Sequence, residues 1–390
     1  MEDKKKIQIP RIVLVIGIIV MVLLVVGIIW MIVAQPNQEN EPILENEQNQ
    51  NEIAENTVEN TIVEEIADEP LPQIEIGTIA EVNSTIDGNV PCYYNPVIPA
   101  GFKAIGSEQD DTIDESAKWG ERNAYLSGLV IEDAKGNQFV WIPVENMQLF
   151  HTTDWQRNEP TEQINTTYIE PVEDERQAYE TMKQKVQKYG GFYVGRFETG
   201  DGDITEARTT TRNSDNMVIK KYAQIYDYVP FTSTTIDRRE VTGARELAVK
   251  FGNQNQYQTV TTSVLYGVQW DAILRFLVSE ENPVNDSTSW GNYPSATFSY
   301  TDSLGNSYQK AQGEARLLTA GSSEQTKAKN IYDIAGNVYE WTMESTGSNT
   351  RVVRGGAYLV NIGQLAASRY AYAQNTANDS IGFRISFYID

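Results

Sequence analysis

The apolar run from Ile12 to Ala34 constrains this chain more than any other feature of its sequence. Its 23 residues can cross a hydrocarbon core of about 30 Å as a helix that rises about 1.5 Å per residue. Basic residues stand at positions 4, 5, 6 and 11, and the next Lys or Arg is Lys103. This bias predicts a cytoplasmic tail of residues 1–11, a single-pass signal anchor in the cell membrane and an extracytoplasmic remainder. The alternative is a cleaved signal peptide, but Ile32 then occupies a position that favours small residues.

Residues 35–87 form a different kind of segment. They contain many Asp, Glu, Asn and Gln residues and scattered Pro, but no Lys, Arg or aromatic residue. Low hydrophobicity with charge of one sign cannot bury enough apolar surface to offset the loss of chain entropy. We therefore predict an acidic, disordered linker that separates the following domain from the membrane. The alternative places short helices or strands at residues 62–66 and 74–79.

Residues 88–390 have the composition of a folded domain. Aromatic residues recur, and Gly and Asn interrupt short alternating runs. Apolar periodicity predicts helices over residues 173–189, 238–251 and 268–277. Strand-like runs lie at residues 128–131, 138–142, 191–197, 351–353 and 383–388. Few helices and many short strands joined by long loops favour the α+β class over a wound parallel sheet.

Composition also excludes several kinds of function. The net charge of −23 opposes binding to a polyanion, so we expect no nucleic-acid partner. The chain has one Cys, Cys92, and one His, His151. These counts exclude an intramolecular disulfide framework and any iron or zinc site that needs two or three histidines. No nucleophile motif surrounds His151, so we interpret it as an ordinary loop residue.

Three phrases near the C-terminus carry the strongest motif signal. They are Asn330–Trp341 (NIYDIAGNVYEW), Arg351–Tyr358 (RVVRGGAY) and Ile381–Arg384 (IGFR). In this order they resemble the core of the formylglycine-generating enzyme, or sulfatase-modifying factor, family. The resemblance implies a C-type-lectin-like fold over roughly residues 90–390, with many short strands and few helices. Residues 145–188 and 278–312 depart from the family pattern.

The first phrase contains a candidate calcium site. Asp333 and Glu340 supply hard carboxylate oxygens, and the bend at 336–338 can direct main-chain carbonyls toward the same point. The resemblance implies one calcium ion held by the side chains of Asp333 and Glu340 and by the carbonyls of Gly336 and Val338. The alternative is a calcium-free turn in which Glu340 accepts hydrogen bonds from main-chain N–H groups.

The resemblance also implies where catalytic residues should lie. Active members carry two copper-binding cysteines shortly after the second phrase, and a related branch holds iron with histidines. By register from Arg354, the cysteines fall at Val360 and at or beside Leu365, and both residues are aliphatic here. We therefore predict no copper, no iron and no catalytic residue of the family type. A divergent enzyme that uses unfamiliar residues stays an open alternative.

The segment between the second and third phrases is rich in Tyr, Asn, Ser and Ala. This composition is typical of binding loops, because Tyr supplies contact area at low entropic cost and Asn and Ser supply adaptable hydrogen bonds. Some relatives of the family's fold display ligand-contacting residues in this region, which implies binding of an extracellular protein or glycan. The candidate contact residues are Tyr358, Asn361, Gln364, Ser368, Tyr370, Tyr372 and Asn375. Two alternatives are a loop packed on its own domain, with Arg369 and Arg384 in internal salt bridges, and a structural cell-envelope protein.

Overall fold

The computed structural model describes residues 93–153, 155, 167–204, 215–279, 281–360 and 365–390, all within the unit Pro70–Asp390. Among these residues, no helix is both long enough and apolar enough to span a membrane. The predicted anchor at 12–34, the predicted linker at 35–87 and Cys92 lie outside them.

The described residues contain many short strands and three α-helices. In chain order, the strands are β1 (Phe102–Ile105), β2 (Val130–Asp133), β3 (Gln138–Pro143), β4 (Gly191–Gly195), β5 (Gly200–Asp201), β6 (Met217–Val218), β7 (Gln224–Ile225), β8 (Thr234–Ile236), β9 (Arg239–Val241), β10 (Val260–Val264), β11 (Phe298–Thr301), β12 (Ser307–Lys310), β13 (Lys327–Ala328), β14 (Ile331–Tyr332), β15 (Tyr339–Trp341), β16 (Thr350–Arg354), β17 (Tyr370–Ala373), β18 (Ile381–Gly382) and β19 (Ile385–Ile389). The helices are α1 (Arg176–Tyr189), α2 (Ala244–Gln254) and α3 (Gly267–Leu277). This mixed, strand-rich content confirms the predicted α+β class.

Six strands form an antiparallel sheet with the order β1-β2-β3-β4-β19-β10. The C-terminal strand β19 lies between β4 and β10, so the sheet is complete only when the end of the chain is in place. Every residue of β4 and β19 is buried, because other parts of the domain cover both faces of the sheet. The predicted strands at 138–142, 191–197 and 383–388 correspond to β3, β4 and β19 and are confirmed.

A second sheet contains one strand from each of the three phrases of the C-terminal motif. Its strand order is β17-β16-β15-β18, in which β15 and β18 run parallel and the other pairs are antiparallel. The strand β17 is outermost in this sheet. Smaller units are the three-stranded sheet β6-β5-β7 and the hairpins β8–β9, β11–β12 and β13–β14. Each phrase therefore contributes a strand to this sheet, which brings the end of the first phrase beside the start of the third.

Two of the three predicted helices are confirmed. The helix α1 buries Tyr179, Met182 and Val186 and ends at Gly190, whose φ of 79° allows a left-handed cap. The helix α3 buries almost its whole surface and starts with a capping box between Tyr266 and Gln269.

The predicted helix at 238–251 is wrong at its start. Residues 234–241 form the hairpin β8–β9, and α2 begins only at Ala244. The two turn residues, Asp237 and Arg238, both have positive φ, at 51° and 66°. Such a turn matches the twist of a two-stranded hairpin, and the β-branched residues of β8 favour an extended chain.

A close main-chain contact joins the C-terminal motif to the loop at Ser127 and Gly128. An ideal Cβ built on Gly128, whose φ is 87°, would lie 2.0 Å from the carbonyl oxygen of Lys329. The Asn330 amide donates to the carbonyls of Ser127 and Gly128 at 3.1 and 2.9 Å. The loop and the motif therefore meet at a point where only glycine fits.

We predict that Gly128→Ala lowers the free energy of unfolding much more than Gly120→Ala. Both glycines have similar positive φ, but a Cβ at Gly120 would meet no atom within 4 Å. The Gly120 variant thus measures backbone strain alone, about 1 kcal/mol. The clash with Lys329 should add about 1–3 kcal/mol at Gly128. Urea denaturation of both full-length variants measures the difference, and equal losses would contradict the close contact.

Candidate functional site

Two arginines and two carboxylates form a closed network of buried charge, which we call the charge ring (Asp271, Glu344, Arg354 and Arg369). Arg354 contacts Asp271 at 2.9 Å and Glu344 at 3.3 Å. Arg369 contacts Asp271 at 2.6 Å and Glu344 at 2.9 Å. The side chains of three members are fully buried, and that of Arg369 is 5% exposed. Each carboxylate therefore contacts both guanidinium groups in an environment with little water.

The charge ring is completed by main-chain groups from several segments. Asp271 accepts hydrogen bonds from the Thr153 N–H at 2.7 Å and the Trp155 indole at 3.0 Å. Arg354 donates to the Ser368 carbonyl at 3.1 Å, and Arg369 donates to the Thr153 carbonyl at 3.0 Å. Burial alone would raise the pKa of Asp271, but the two guanidinium groups and the Thr153 N–H hold it below its ordinary value. Asp271 is thus held in its ionised form, and its oxygens have hydrogen-bond partners.

Another acid, Glu170, lies at the N-terminus of α3. The residue is half-buried, and its carboxylate accepts the N–H groups of Gly267 at 2.6 Å and Val268 at 2.9 Å. Enclosure of the carboxylate and the charge of Glu344 raise its pKa to about 8, although the two N–H groups oppose the shift. Glu170 therefore holds a proton at neutral pH.

The predicted calcium residues lie in a second buried cluster. The Asp333 carboxylate accepts the Thr326 hydroxyl at 2.6 Å and the Gly321 N–H at 2.7 Å. The Glu340 carboxylate forms a buried ion pair with Arg384, with a shortest contact of 2.6 Å. Arg384 also donates to two main-chain carbonyls of the core. The two predicted carboxylate ligands thus have protein donors.

A third carboxylate, Glu198, belongs to the same cluster. It accepts hydrogen bonds from the Asn337 amide and from the Val338 N–H at 3.2 Å. Burial, followed by the charges of Asp333 and Glu340, raises its pKa well above the ordinary value. Burial also raises the pKa values of Asp333 and Glu340, with Arg384 opposing both shifts. Three carboxylates therefore share one nearby guanidinium, and burial favours the protonated form of each relative to water.

The described ranges contain no group of three or more His, Cys, Asp or Glu side chains with an arrangement that could hold a metal ion. The predicted calcium set contains two carboxylates and two main-chain carbonyls. His151 contacts the carbonyl oxygen of Thr152 through its Nδ1 at 3.0 Å.

The predicted binding residues are distributed over three environments. Tyr370 and Tyr372 lie on β17, where Tyr370 is 43% exposed and Tyr372 is half-buried. Asn375 follows the strand and is exposed, whereas Ser368 precedes it and is half-buried. Tyr358 is buried, and its phenol interacts with Asp379. The remaining two candidates, Asn361 and Gln364, lie outside the described residues.

Aromatic rings beside β17 form a continuous patch, which we call the tyrosine patch (Tyr339, Tyr370 and Tyr372). The centroids of Tyr370 and Tyr372 are 4.8 Å apart, and Tyr339 lies 6.3 and 6.2 Å from them. Trp341 continues the patch into the core at 6.4 Å from Tyr372. The buried members hold the exposed rings in place, so the patch presents ordered aromatic surface.

The expected cysteine positions lie close to the charge ring in sequence. Val360 and Leu365 are both half-buried and pack against the main hydrophobic core. Neither side chain has a thiolate to bind copper or attack a substrate.

Sequence reasoning missed half of the charge ring. Asp271 and Glu344 were not among the candidates, although an aspartate inside the apolar helix GVQWDAILRFL is itself a signal of buried pairing. Glu170 and Glu198 were also missed, because their surroundings come from distant parts of the chain. The alternative with Arg369 and Arg384 in internal salt bridges agrees with the observed ion pairs.

The fold is that of a mixed, strand-rich domain, and the strands of the C-terminal motif lie in its interior. Residues 279–387 match the family model of the sulfatase-modifying factor enzyme 1-like domain. The matched range contains all three sequence phrases, and the match confirms the resemblance drawn from them.

Solved structures provide further comparisons. A crystal structure of CarF matches at 16% identity over 51% of this chain and 87% of that chain, with a TM-score of 0.31. The Treponema denticola variable protein 1 matches at 11% identity over 50% of this chain and 95% of that chain, with a TM-score of 0.26. No curated protein matches the chain.

In the wild-type protein, we expect the protonation of Glu170 to make the free energy of unfolding fall between pH 5 and pH 8. We predict that Glu170→Gln removes this fall. The folded Glu170 keeps its proton to about pH 8, whereas the unfolded carboxyl loses it near 4.5. The unfolded state thus binds fewer protons in this range, and the free energy of unfolding falls as pH rises, by at most about 1.4 kcal/mol per pH unit. Urea denaturation across this range measures the difference from wild type. The control is Glu180→Gln, the same change at an exposed position of α1; identical pH profiles for both variants would contradict the assignment.

Proposed function

We propose that this chain is a membrane-anchored, extracytoplasmic binding protein of the sulfatase-modifying factor family that does not perform the family's cysteine-dependent catalysis. The observation that carries this proposal is the tyrosine patch. Two of its three rings lie on β17, an edge strand of its sheet, and they pack on the buried ring of Tyr339 from β15. Interfaces are enriched in Tyr because its ring buries apolar area while its hydroxyl can form a hydrogen bond.

The position of the patch favours a protein ligand over a glycan. An outermost strand presents main-chain N–H and C=O groups that an extended peptide can pair with. Tyr370 and Tyr372 alternate with Ala371 and Ala373, which leaves the opposite face of the strand unobstructed. A peptide that adds to this strand would contact the tyrosine rings on one face and Asn375 at the end.

Several features support the non-catalytic and extracytoplasmic parts of the proposal. The two expected cysteine positions are held by Val360 and Leu365, and the charge ring nearby is fully paired. The apolar run at 12–34 and the acidic segment at 35–87 support placement outside a membrane on an extended linker. The competing functions are a divergent enzyme and a structural envelope protein.

We predict that Tyr370→Ala and Tyr372→Ala each weaken ligand binding by at least about tenfold, as expected for an aromatic anchor. Ligands would be selected with the full-length protein from a random peptide display library and from a glycan array, and affinities measured by biolayer interferometry. Tyr308→Ala is the matched control, because Tyr308 is 44% exposed and also stacks on a neighbouring strand tyrosine.

Each outcome of this experiment separates the candidate functions. Peptides that bind the wild-type protein but not the Tyr370 and Tyr372 variants would support a protein ligand. Glycans that behave in the same way would instead identify the ligand as a glycan. Absence of saturable binding to either collection would remove the binding proposal and favour a structural role. Oxidation of a sulfatase-type cysteine peptide after addition of copper would favour the enzyme.

We further propose that a calcium ion binds beside Asp333 and Glu340, with the carbonyls of Gly336 and Val338 as additional ligands. The excess of buried carboxylates over the Arg384 guanidinium supports this proposal, because a divalent cation would favour the ionised forms of Asp333 and Glu340 that burial disfavours. The ion would supply structural stabilisation, and no catalytic step depends on it.

We predict that calcium raises the melting temperature of the full-length protein and that a chelator reverses the rise. Asp333→Asn should abolish this dependence, because it removes a charged ligand while it keeps a similar shape. Differential scanning fluorimetry with calcium or chelator measures the shift, and Asp302→Asn, at an exposed turn, serves as the control. A calcium response that is equal in the Asp333 variant and wild type, or absent from both, would overturn the proposal that calcium binds at this cluster.

A further inference from the structure

A cavity of about 320 Å³ opens beside the C-terminal half of α3, on a part of the domain that the tyrosine patch does not include. Its walls are mostly apolar and come from Leu126, Val144, Leu149 and Phe276, among others. The volume falls at the lower end of the range for pockets that bind small molecules, about 300–1,000 Å³. The cavity is thus large enough for a compact ligand with an apolar body.

Two cationic side chains, Arg275 and Lys329, also line this cavity. The Arg275 guanidinium lies 5.9 Å above the Trp155 ring and donates from Nη2 to the Thr153 hydroxyl. Its Nη1 atom is buried and has no hydrogen-bond partner among the residues that the structure describes. A buried donor without an acceptor costs free energy, so an incoming acceptor would be stabilised here.

Lys329 reaches the cavity from the loop before the first motif phrase. Its Nζ lies 4.5 Å above the Phe276 ring and donates to the Phe276 carbonyl. Burial lowers the pKa of Lys329 and of Arg275 from their ordinary values, with Asp271 partly opposing the shift at Arg275. Neither Arg275 nor Lys329 has a salt bridge to a carboxylate among the described residues. An anionic group between Arg275 and Lys329 would replace the interactions with water that the two cations lose on burial.

The charge of the lining is opposite to that of the protein. Among the described lining residues, Glu145 is the one carboxylate. It is exposed and accepts a hydrogen bond from the Tyr125 hydroxyl at 2.8 Å. Two cations against one carboxylate leave the cavity net positive in a chain with a net charge of −23. Such a local reversal favours an anion over a neutral or cationic ligand.

We propose that this cavity is a binding site for a small amphipathic carboxylate, with the carboxylate held by Arg275 and Lys329 and the apolar body against Phe276, Leu149 and Val144. The planar guanidinium suits bidentate contact with a carboxylate. A purely polar anion such as phosphate would leave the apolar walls exposed to water and gain little from them. The site is separate from the proposed function and does not depend on it.

The test uses a matched pair of probes, 4-phenylbutyrate and its neutral amide, titrated into the full-length protein by isothermal titration calorimetry. The acid should bind at least about tenfold more tightly than the amide, as expected for a hydrogen-bonded charge. Arg275→Met and Lys329→Met should each remove most of this preference while affinity for the amide stays unchanged. Glu145→Gln should strengthen binding of the acid, because it removes the opposing charge.

The control variant is Lys118→Met, an equal change of charge at an exposed residue outside the cavity lining. Equal affinity for acid and amide would overturn the carboxylate assignment, and absence of binding of the acid would overturn the site. Unchanged preference in both cavity variants would place any binding elsewhere. Comparison of the two probes on the unaltered protein needs no variant, so it tests the proposal even where a substitution prevents folding.

Discussion

The charge ring joins α3 to the end of β16 and to the start of β17 through buried ion pairs. A buried ion costs several kcal/mol of lost hydration, and this cost is met only when its hydrogen-bonding groups find partners. In the ring each carboxylate contacts both guanidinium groups, and carbonyls before β17 accept further donors. Its members come from α3, from the segment after β15, from the end of β16 and from the residue before β17. Loss of any one member would leave the two residues that it contacts with one ionic partner each instead of two.

The helix α3 connects the charge ring with the cavity. Asp271 and Arg275 are one helical turn apart, so the ring and the cavity wall occupy neighbouring positions on one face. Thr153 joins them, because its N–H donates to Asp271 while its hydroxyl accepts from Arg275. A ligand held by Arg275 would therefore act on a residue that also completes the ring.

The buried cluster around Arg384 has a different role from the charge ring. It joins the first and third motif phrases and fixes the entry to β19, the strand that completes the large sheet. The tyrosine patch lies on the neighbouring sheet, with Trp341 beneath it. Charge thus stabilises the interior, while the exposed surface of β17 is aromatic and almost free of charge. This division suits a domain that binds through a rigid surface.

Much of the framework could be predicted from local patterns. Alternating apolar runs located β3, β4 and β19, helical periodicity located α1 and α3, and the motif phrases led to the family. The hairpin β8–β9 was missed, because turn residues with positive φ, such as Asp237, carry no apolar pattern. The candidate tyrosines on β17 were selected by composition, but their stacking on Tyr339 depends on strand register.

By itself, the sequence determined which short segments are strands and helices, which family the C-terminal region resembles, and which thiols and imidazoles are missing. Only the tertiary structure decided which charges pair and which cavity collects Arg275 and Lys329. The physical reason is the separation along the sequence between the residues that interact. Secondary structure depends on neighbours within a few residues, whereas the ring joins Asp271 to Arg354 and Arg369 across 83 and 98 residues. Such pairings have no local signature, because they exist only after the core has brought distant segments together.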